Sequence, residues 1–135
     1  CIHNINTWRM ADWIGCGPSA ASQFNGERYQ RPANLDEWVA GIDSGRPPKT
    51  EVVRLDAEIL MADAVIFGLR MHVGINLAEI AQRFPAPEVL GVIEPLFARF
   101  EAEGLLLREG TRAWLTHQGR LVCDAIGSAV LEAVG

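Results

Sequence analysis

Residues 104–116, GLLLREGTRAWLT, contain two apolar segments that flank a polar turn, and the predicted fold class follows from them. Glu109-Gly110-Thr111 lies between Leu105–Arg108 and Arg112–Leu115, and this spacing predicts a β-hairpin. Thr116 follows the second segment and predicts a last helix, because a threonine hydroxyl caps the first turn of a helix well. A hairpin between helices predicts a mixed α+β fold.

Three helices are predicted ahead of this hairpin. Asp56 is expected to cap a first helix that runs to about Arg70 with apolar residues at helical spacing. A second helix begins near Leu77 and stops before Pro85, and Glu94-Pro95 is predicted to start a third, with the proline in its first turn. The order helix, helix, helix, hairpin is typical of a winged-helix-like domain, here with an extra C-terminal helix.

The first third of the chain has a different pattern. Residues 1–33 are predicted to be extended, and Asn25-Gly26 is a strong hairpin signal because both residues tolerate positive φ. Asn34 with Glu37 predicts a capped helix, and Arg46–Thr50, with its two prolines, predicts a linker. The predicted domains are residues 1–34 (strands), residues 35–50 (a helix and linker) and residues 51–135 (the winged-helix-like domain).

Composition and charge exclude several classes of protein. The chain has 135 residues, of which 49% are hydrophobic and 21% charged, so it is predicted to be globular rather than disordered. Twelve Lys and Arg against seventeen Asp and Glu give a net charge of −5, which disfavours nucleic acid as a partner. No apolar run approaches the roughly 18 residues that a membrane span needs, so none is predicted.

A winged-helix DNA-binding regulator, or a protein-interaction module, is the alternative hypothesis. In DNA-binding relatives of this architecture the third helix lies against the polyanion. Here the predicted third helix carries Glu94, Glu101 and Glu103 against Arg99 alone. This acidic helix would repel phosphate, so the sequence disfavours DNA binding.

The cysteines and the first residue bear on compartment and processing. Cys1, Cys16 and Cys123 are odd in number and far apart, which predicts reduced thiols, a cytoplasmic location and no metal site. The chain begins with Cys1 rather than Met, and no charged-then-apolar segment precedes it. We therefore expect a fragment or processed product without a signal peptide.

A glycine motif marks a candidate binding turn. Residues 15–20, GCGPSA, fit the G-x-G-x-x-A fingerprint of dinucleotide-binding proteins. That fingerprint needs a helix after it, and Pro18 and the Asn25-Gly26 hairpin leave no room for one, so a nicotinamide site is excluded. Two interpretations remain: a turn whose backbone a ligand can approach closely, or a tight turn with packing glycines.

Several short segments along nearly the whole chain resemble one protein family. They are His3-Asn4-x-x-x-Trp8, Asp12-Trp13-Ile14-Gly15-x-Gly17-x-x-Ala20, Arg31-x-x-Asn34, Gly68-Leu69-Arg70, Gly74-Ile75, Glu103-Gly104-Leu105-Leu106 and Leu115-Thr116-x-x-Gly119-x-Leu121. In this order they resemble the end of the catalytic barrel and the C-terminal domain of oxygen-independent coproporphyrinogen III oxidase-like radical SAM proteins. The resemblance implies an N-terminal β-hairpin and strand remnant of that barrel, followed by a mainly helical, winged-helix-like domain.

Two branches of this family differ at the start of the chain. Haem chaperone-like members carry H-N-x-x-Y-W, and the true oxidases lack the His-Asn pair. His3, Asn4 and Trp8 therefore resemble the chaperone-like branch, although Thr7 stands where that branch has Tyr, and Ile2 where it usually has Arg. Whether the parent is an oxidoreductase or delivers haem stays open at this point, as does its native substrate.

The resemblance also implies cofactors and partners. Such proteins use S-adenosylmethionine and a four-iron four-sulfur cluster held by a CxxxCxxC run, and act on a tetrapyrrole such as haem or coproporphyrinogen. This chain contains no such run, so we expect a C-terminal fragment that is inactive alone and whose partner is the N-terminal part of the barrel.

Five residues are the candidate site. By resemblance, Gly15, Gly17 and Ala21 lie on the turn that approaches the S-adenosylmethionine pocket. Ile2 and His3 fall where the oxidases contact a second S-adenosylmethionine. Because haem iron accepts an axial imidazole, we also predict that His3, expected at a strand end beside apolar and aromatic residues, is the residue that touches tetrapyrrole. The competing interpretation of His3 is a histidine hydrogen-bonded to its own loop.

Overall fold

A computed structural model describes residues 1–135 and contains seven helices and six strands. The helices are α1 (Ile2–Trp8), α2 (Leu35–Asp43), α3 (Ala57–Gly68), α4 (Leu77–Arg83), α5 (Pro87–Ala102), α6 (His117–Leu121) and α7 (Cys123–Val134). The strands are β1 (Ala21–Phe24), β2 (Glu27–Gln30), β3 (Thr50–Arg54), β4 (Ile75–Asn76), β5 (Leu106–Glu109) and β6 (Arg112–Leu115). None of the helices combines the length and the apolar character needed to cross a membrane.

The chain forms two compact units. The helical unit consists of Cys1–Met10 with Ala57–Gly135, and the small unit consists of Ala11–Asp56. This division differs from the predicted boundaries at both ends of the small unit. At its start, residues 1–10 group with the later helices, and at its end, the predicted linker runs into β3, which pairs with β2.

The core of the helical unit is built on one face of α5. Val89, Ile93, Phe97 and Phe100 recur every three or four residues and are all buried, as an amphipathic helix requires. They pack with buried side chains of α3, α7 and the β5–β6 hairpin. The largest fully buried side chains among these partners are Met61, Val65, Leu106 and Val130.

The predicted hairpin is confirmed, and a third strand joins it. β5 and β6 pair antiparallel with Leu106 opposite Leu115, and β4 adds to β6 with Ile75 opposite Ala113. The cap at Thr116 is also confirmed, since its hydroxyl accepts the Gly119 N–H at 3.0 Å. The single last helix predicted after it is wrong, because the backbone leaves helical geometry at Val122 and separates α6 from α7.

The predicted start of the third helix is also wrong. α5 begins at Pro87, so the proline in its first turn is Pro87 and not Pro95, and the helix continues through Pro95. A proline inside a helix leaves the carbonyl four residues earlier without its backbone donor, here that of Gly91. Both Pro95 and Gly91 lie on the exposed side of α5, so water can solvate that carbonyl while the opposite face packs in the core.

The extended conformation predicted for residues 1–33 is wrong at the N-terminus. Ile2–Trp8 forms a helix, and the chain contains no glycine or proline before Gly15 to interrupt it. The guanidinium of Arg83 donates to the carbonyl oxygens of Arg9 at 2.8 Å and Met10 at 3.0 Å. A tertiary contact far away in sequence thus fixes the end of α1.

The small unit contains the two elements that the sequence predicts most strongly. Asn25 and Gly26, with φ of 52° and 75°, form the turn of the β1–β2 hairpin. Asn34 caps α2 by accepting the Glu37 N–H at 3.1 Å. Beyond the predicted linker, β3 pairs antiparallel with β2 and completes a three-stranded sheet.

Candidate functional site

The predicted glycine turn lies in the small unit between two paired segments. Trp13, which precedes the turn, and Gln23, which follows it, are joined by two backbone hydrogen bonds of 2.9 and 3.0 Å. The Gly15 N–H donates at 2.9 Å to the hydroxyl of Ser22, which is fully buried. A Cβ at Gly15 would collide with the carbonyl oxygen of Ala21, so only glycine fits this position. Gly15 therefore follows the packing interpretation.

Gly17 differs from Gly15 in having open space around its backbone. Its φ of 105° favours glycine, and no atom lies within 4 Å of where a Cβ would stand. Its carbonyl accepts the Ala20 N–H at 3.3 Å, and Ala21, at the start of β1, is exposed. The structure thus brings Gly15, Gly17 and Ala21 into one turn, in which Gly17 is half-buried with open space where a Cβ would stand.

A polar pair beside this turn, the buried Gln23 and the half-buried Arg28, was not predicted. Gln23 is 3% exposed, and its side-chain oxygen accepts two hydrogen bonds from Arg28, at 3.2 and 2.6 Å. The two residues face each other across the β1–β2 hairpin. Counting outward from Asn25-Gly26 places them opposite each other, and this counting is the signal that would have found them.

Ile2 and His3 lie on α1 in the helical unit, not at a strand end. Ile2 is 78% exposed, and the His3 imidazole is exposed and makes no hydrogen bond. The Thr7 hydroxyl donates at 3.2 Å to the His3 carbonyl one turn back, so it is used within the helix. The imidazole is therefore accessible to a ligand, and a hydrogen bond to its own loop does not occur.

A cavity of about 400 Å³ in the helical unit was not predicted. Its walls come from the end of α1, the second half of α3, the segment 71–76, which includes β4, and α4. The lining residues are up to 76 positions apart in the sequence, from Trp8 to Phe84, so no local pattern predicts the cavity. Apolar side chains form most of its surface, with Arg9, Glu79 and Arg83 as its charged residues.

The cysteines do not form a metal site. Cys1 and Cys16 are exposed, Cys123 is half-buried, and all three thiols are free. No group of three or more His, Cys, Asp or Glu side chains is placed to hold a metal ion. The three cysteines do not fit an iron–sulfur cluster, which requires convergent cysteines.

An arginine of the β5–β6 hairpin forms ion pairs within the helical unit. Arg108 on β5 contacts Glu94 at 2.6 Å and Glu101 at 4.0 Å, both on α5. The arginine that a DNA-binding hairpin would offer to phosphate is paired with the acidic helix beside it.

The family of the chain follows from comparison with known proteins. The family model described as "HemN C-terminal domain" matches residues 55–122, just over half of the chain. The chain belongs to this family. The HemN C-terminal domain match covers α3 to α6, with the β5–β6 hairpin inside it. The predicted resemblance is thereby confirmed, and the alternative of a DNA-binding regulator is not favoured.

Curated relatives extend the similarity beyond the HemN C-terminal domain. The chain is 29% identical over 133 residues to "Heme chaperone HemW" of Mycobacterium tuberculosis, covering 97% of this chain and 31% of that protein. It is 21% identical over 129 residues to "Heme chaperone HemW" of Bacillus subtilis, covering 96% of this chain and 34% of that protein. The chain thus spans about a third of the length of these relatives.

A solved structure shares the fold. It is coproporphyrinogen III oxidase (HemN) from Escherichia coli, described as a radical SAM enzyme. The TM-score is 0.70 at 20% identity, over 89% of this chain and 28% of that one. At this identity the match supports the mixed α+β fold and no residue role.

Proposed function

We propose that this chain is the C-terminal part of a radical SAM protein of tetrapyrrole metabolism, of the haem chaperone type. The observation that carries the proposal is the similarity to two heme chaperones over 96–97% of the chain. The chaperone-like pattern of His3, Asn4 and Trp8 in the sequence supports it. A coproporphyrinogen oxidase-like oxidoreductase is the second candidate, favoured by the shared fold with the Escherichia coli enzyme. The cytoplasm is the proposed compartment, in keeping with three free thiols.

The proposal assigns two roles within the fold. The N-terminal strands β1 and β2 would complete the catalytic barrel of the parent protein. The helical unit would be a winged-helix-like domain that closes the barrel opening and shapes a porphyrin-sized site. Support comes from the order α3, α4, α5, then the β5–β6 hairpin.

The glycine turn would face S-adenosylmethionine. Gly17 has open space where a Cβ would stand, and Ala21 is exposed, so a ligand can lie against this backbone. When bound in the parent, S-adenosylmethionine would supply a radical after reductive cleavage. In this chain, Gly15 would hold the shape of the turn through Ser22, while Gly17 and Ala21 would leave room for the ligand.

The first prediction is that this chain does not assemble a cluster. After reconstitution with iron and sulfide, we expect no cluster absorption, iron well below about four per chain, and no cleavage of S-adenosylmethionine, because its cysteines do not converge. Colorimetric iron determination and absorbance spectra measure this. The triple variant Cys1→Ser, Cys16→Ser, Cys123→Ser is the control for adventitious iron. Four irons per monomer, lost in this variant, would contradict the prediction.

The second prediction tests the proposed function at His3. In the longer protein that the proposal requires, His3→Ala is expected to weaken haem binding by about tenfold or more and to shift the haem absorption bands, because an axial imidazole is lost. Haem titration followed by absorbance measures both. His117→Ala, at another exposed helical histidine, is the matched control and should change neither. Unchanged affinity and spectrum in His3→Ala would rule out His3 as a haem ligand.

A further inference from the structure

The cavity in the helical unit presents a largely apolar surface. Met10, Ala64 and Ile75 are buried and line its interior, and Trp8, Ile80 and Phe84 remain half-buried against it. Its volume of about 400 Å³ lies within the range of small-molecule sites, about 300–1,000 Å³. The half-buried side chains are the ones a bound molecule would cover, and covering them would remove apolar area from water.

One cation of the cavity is held in place before any ligand arrives. The Arg83 guanidinium donates to the carbonyl oxygens of Arg9 and Met10 and lies 4.8 Å from the centroid of the Phe84 ring. No carboxylate forms an ion pair with it, so its charge is not neutralised. An immobilised cation at an apolar surface loses little conformational entropy when it meets an anion.

A second cation stands at the same cavity. Arg9 is exposed, and its side chain makes neither a hydrogen bond nor an ion pair. The only carboxylate in the lining is that of Glu79, which accepts a 3.5 Å hydrogen bond from the Asn76 amide. Two arginines against one glutamate give the lining a net charge of +1, in a chain of net charge −5. The cavity therefore favours anions locally although the chain as a whole repels them.

We propose that this cavity binds a small, largely apolar organic anion. Its apolar body would cover Trp8, Ile80 and Phe84, and its acidic group would meet Arg9 and Arg83. This site lies wholly within the helical unit and goes beyond the proposed function, since it uses neither the glycine turn nor His3.

Two probes of nearly equal shape separate the apolar contribution from the ionic one. 8-Anilinonaphthalene-1-sulfonate is an aromatic anion, and N-phenyl-1-naphthylamine has the same rings without the sulfonate. Fluorescence titration of this chain is expected to give one site for each probe, with tighter binding of the anion. A chain that binds neither probe, or binds the neutral probe more tightly, would overturn the proposal.

Substitutions in the lining then locate the site. Arg9→Gln should weaken binding of the anion by about threefold and leave the neutral probe unchanged, because one exposed charge is lost. Arg46→Gln changes net charge equally at an exposed residue of the small unit, and should leave both probes unchanged. Ile80→Trp places a larger ring at the cavity and should weaken both probes at least about tenfold.

Each variant can contradict the proposal. If Arg9→Gln and Arg46→Gln weakened binding of the anion equally, the effect would come from the net charge of the chain and not from a charge at the cavity. That result would overturn the proposal. Unchanged binding in a folded Ile80→Trp variant, with near-UV circular dichroism and melting temperature as checks, would place the probes elsewhere. If Ile80→Trp does not fold, the comparison of Arg9→Gln with Arg46→Gln decides. Loss of haem binding in His3→Ala has no bearing on these titrations.

Discussion

Gly119→Ala is expected to lower the free energy of unfolding of the helical unit by about 2–4 kcal/mol, among the larger effects a single methyl group can have. Gly119 is buried in α6, and an added Cβ would collide with the carbonyl oxygen of Leu105. That carbonyl already accepts the Thr116 N–H at 3.0 Å. The clash would therefore push apart the start of α6 and the residue before β5.

The N-cap of α6 makes this clash hard to relieve. The Thr116 hydroxyl accepts the Gly119 N–H at 3.0 Å and donates to the Gly104 carbonyl at 2.7 Å. Any shift of α6 that frees the new methyl group also lengthens these bonds. Loss of a cap alone costs about 1 kcal/mol, so the clash and the cap act in the same direction.

A second helical glycine provides the matched control. Gly91 lies in the exposed part of α5, and no atom lies within 4 Å of where its Cβ would stand. Gly91→Ala is expected to raise the free energy of unfolding by about 0.5–1 kcal/mol, because alanine restricts the unfolded chain and favours helix. Urea unfolding followed by circular dichroism measures both variants. Changes of the same sign in the two variants would refute this account.

The sequence predicts an element of the fold correctly when residues close to it in the sequence determine that element. The β5–β6 hairpin, the Asn25-Gly26 turn and the caps at Asn34 and Thr116 are predicted correctly, because each is set within a few residues. The start of α5 is not, because a proline is tolerated inside a helix only where the freed carbonyl faces water, and the sequence does not show which face is exposed. Solvation of the Gly91 carbonyl is a property of the folded surface, and no local pattern contains it.

The candidate site divides in the same way. The glycine turn is predicted as a turn, but its two glycines have different causes, a close carbonyl at Gly15 and an open left-handed backbone at Gly17. The conformation of His3 is missed, because α1 is fixed by Arg83, 80 positions further along the chain. The cavity depends on the same long-range contact, so neither could be found by periodicity.

Arg83→Ala is expected to release α1 while the rest of the helical unit stays folded. α1 has seven residues, no buried residue and no side-chain N-cap, and helices shorter than about 12 residues are marginal alone in water. Two hydrogen bonds from a charged donor fix its end. Their loss should cost about 2 kcal/mol, which is a roughly 30-fold increase in local opening.

Amide hydrogen exchange of residues 2–10 measures this opening directly. Arg99→Ala is the matched control, because Arg99 also lies in the last turn of a helix and 5.2 Å from the ring of the next residue, Phe100, yet donates to no backbone carbonyl of another element. Exchange in residues 2–10 should stay slow in that variant. Equal exchange in the two variants would show that Arg83 does not anchor α1.

Arg83→Lys separates charge from geometry at the same position. A lysine ammonium keeps the positive charge but lacks the planar fork that reaches two carbonyls at once, so intermediate exchange is expected. Trp8, Arg9 and Met10 form one wall of the cavity, so the anionic probe should bind least well to Arg83→Ala, where that wall opens most often. The contradicting result is that Arg83→Lys equals the unsubstituted chain in both exchange and probe binding. Charge alone would then account for the data, and the planar fork of the guanidinium would not be what fixes α1. The same two hydrogen bonds hold the helix and the cavity wall. Amide exchange in residues 2–10 should therefore become faster, and binding of the anionic probe weaker, in the same order from arginine to lysine to alanine at position 83.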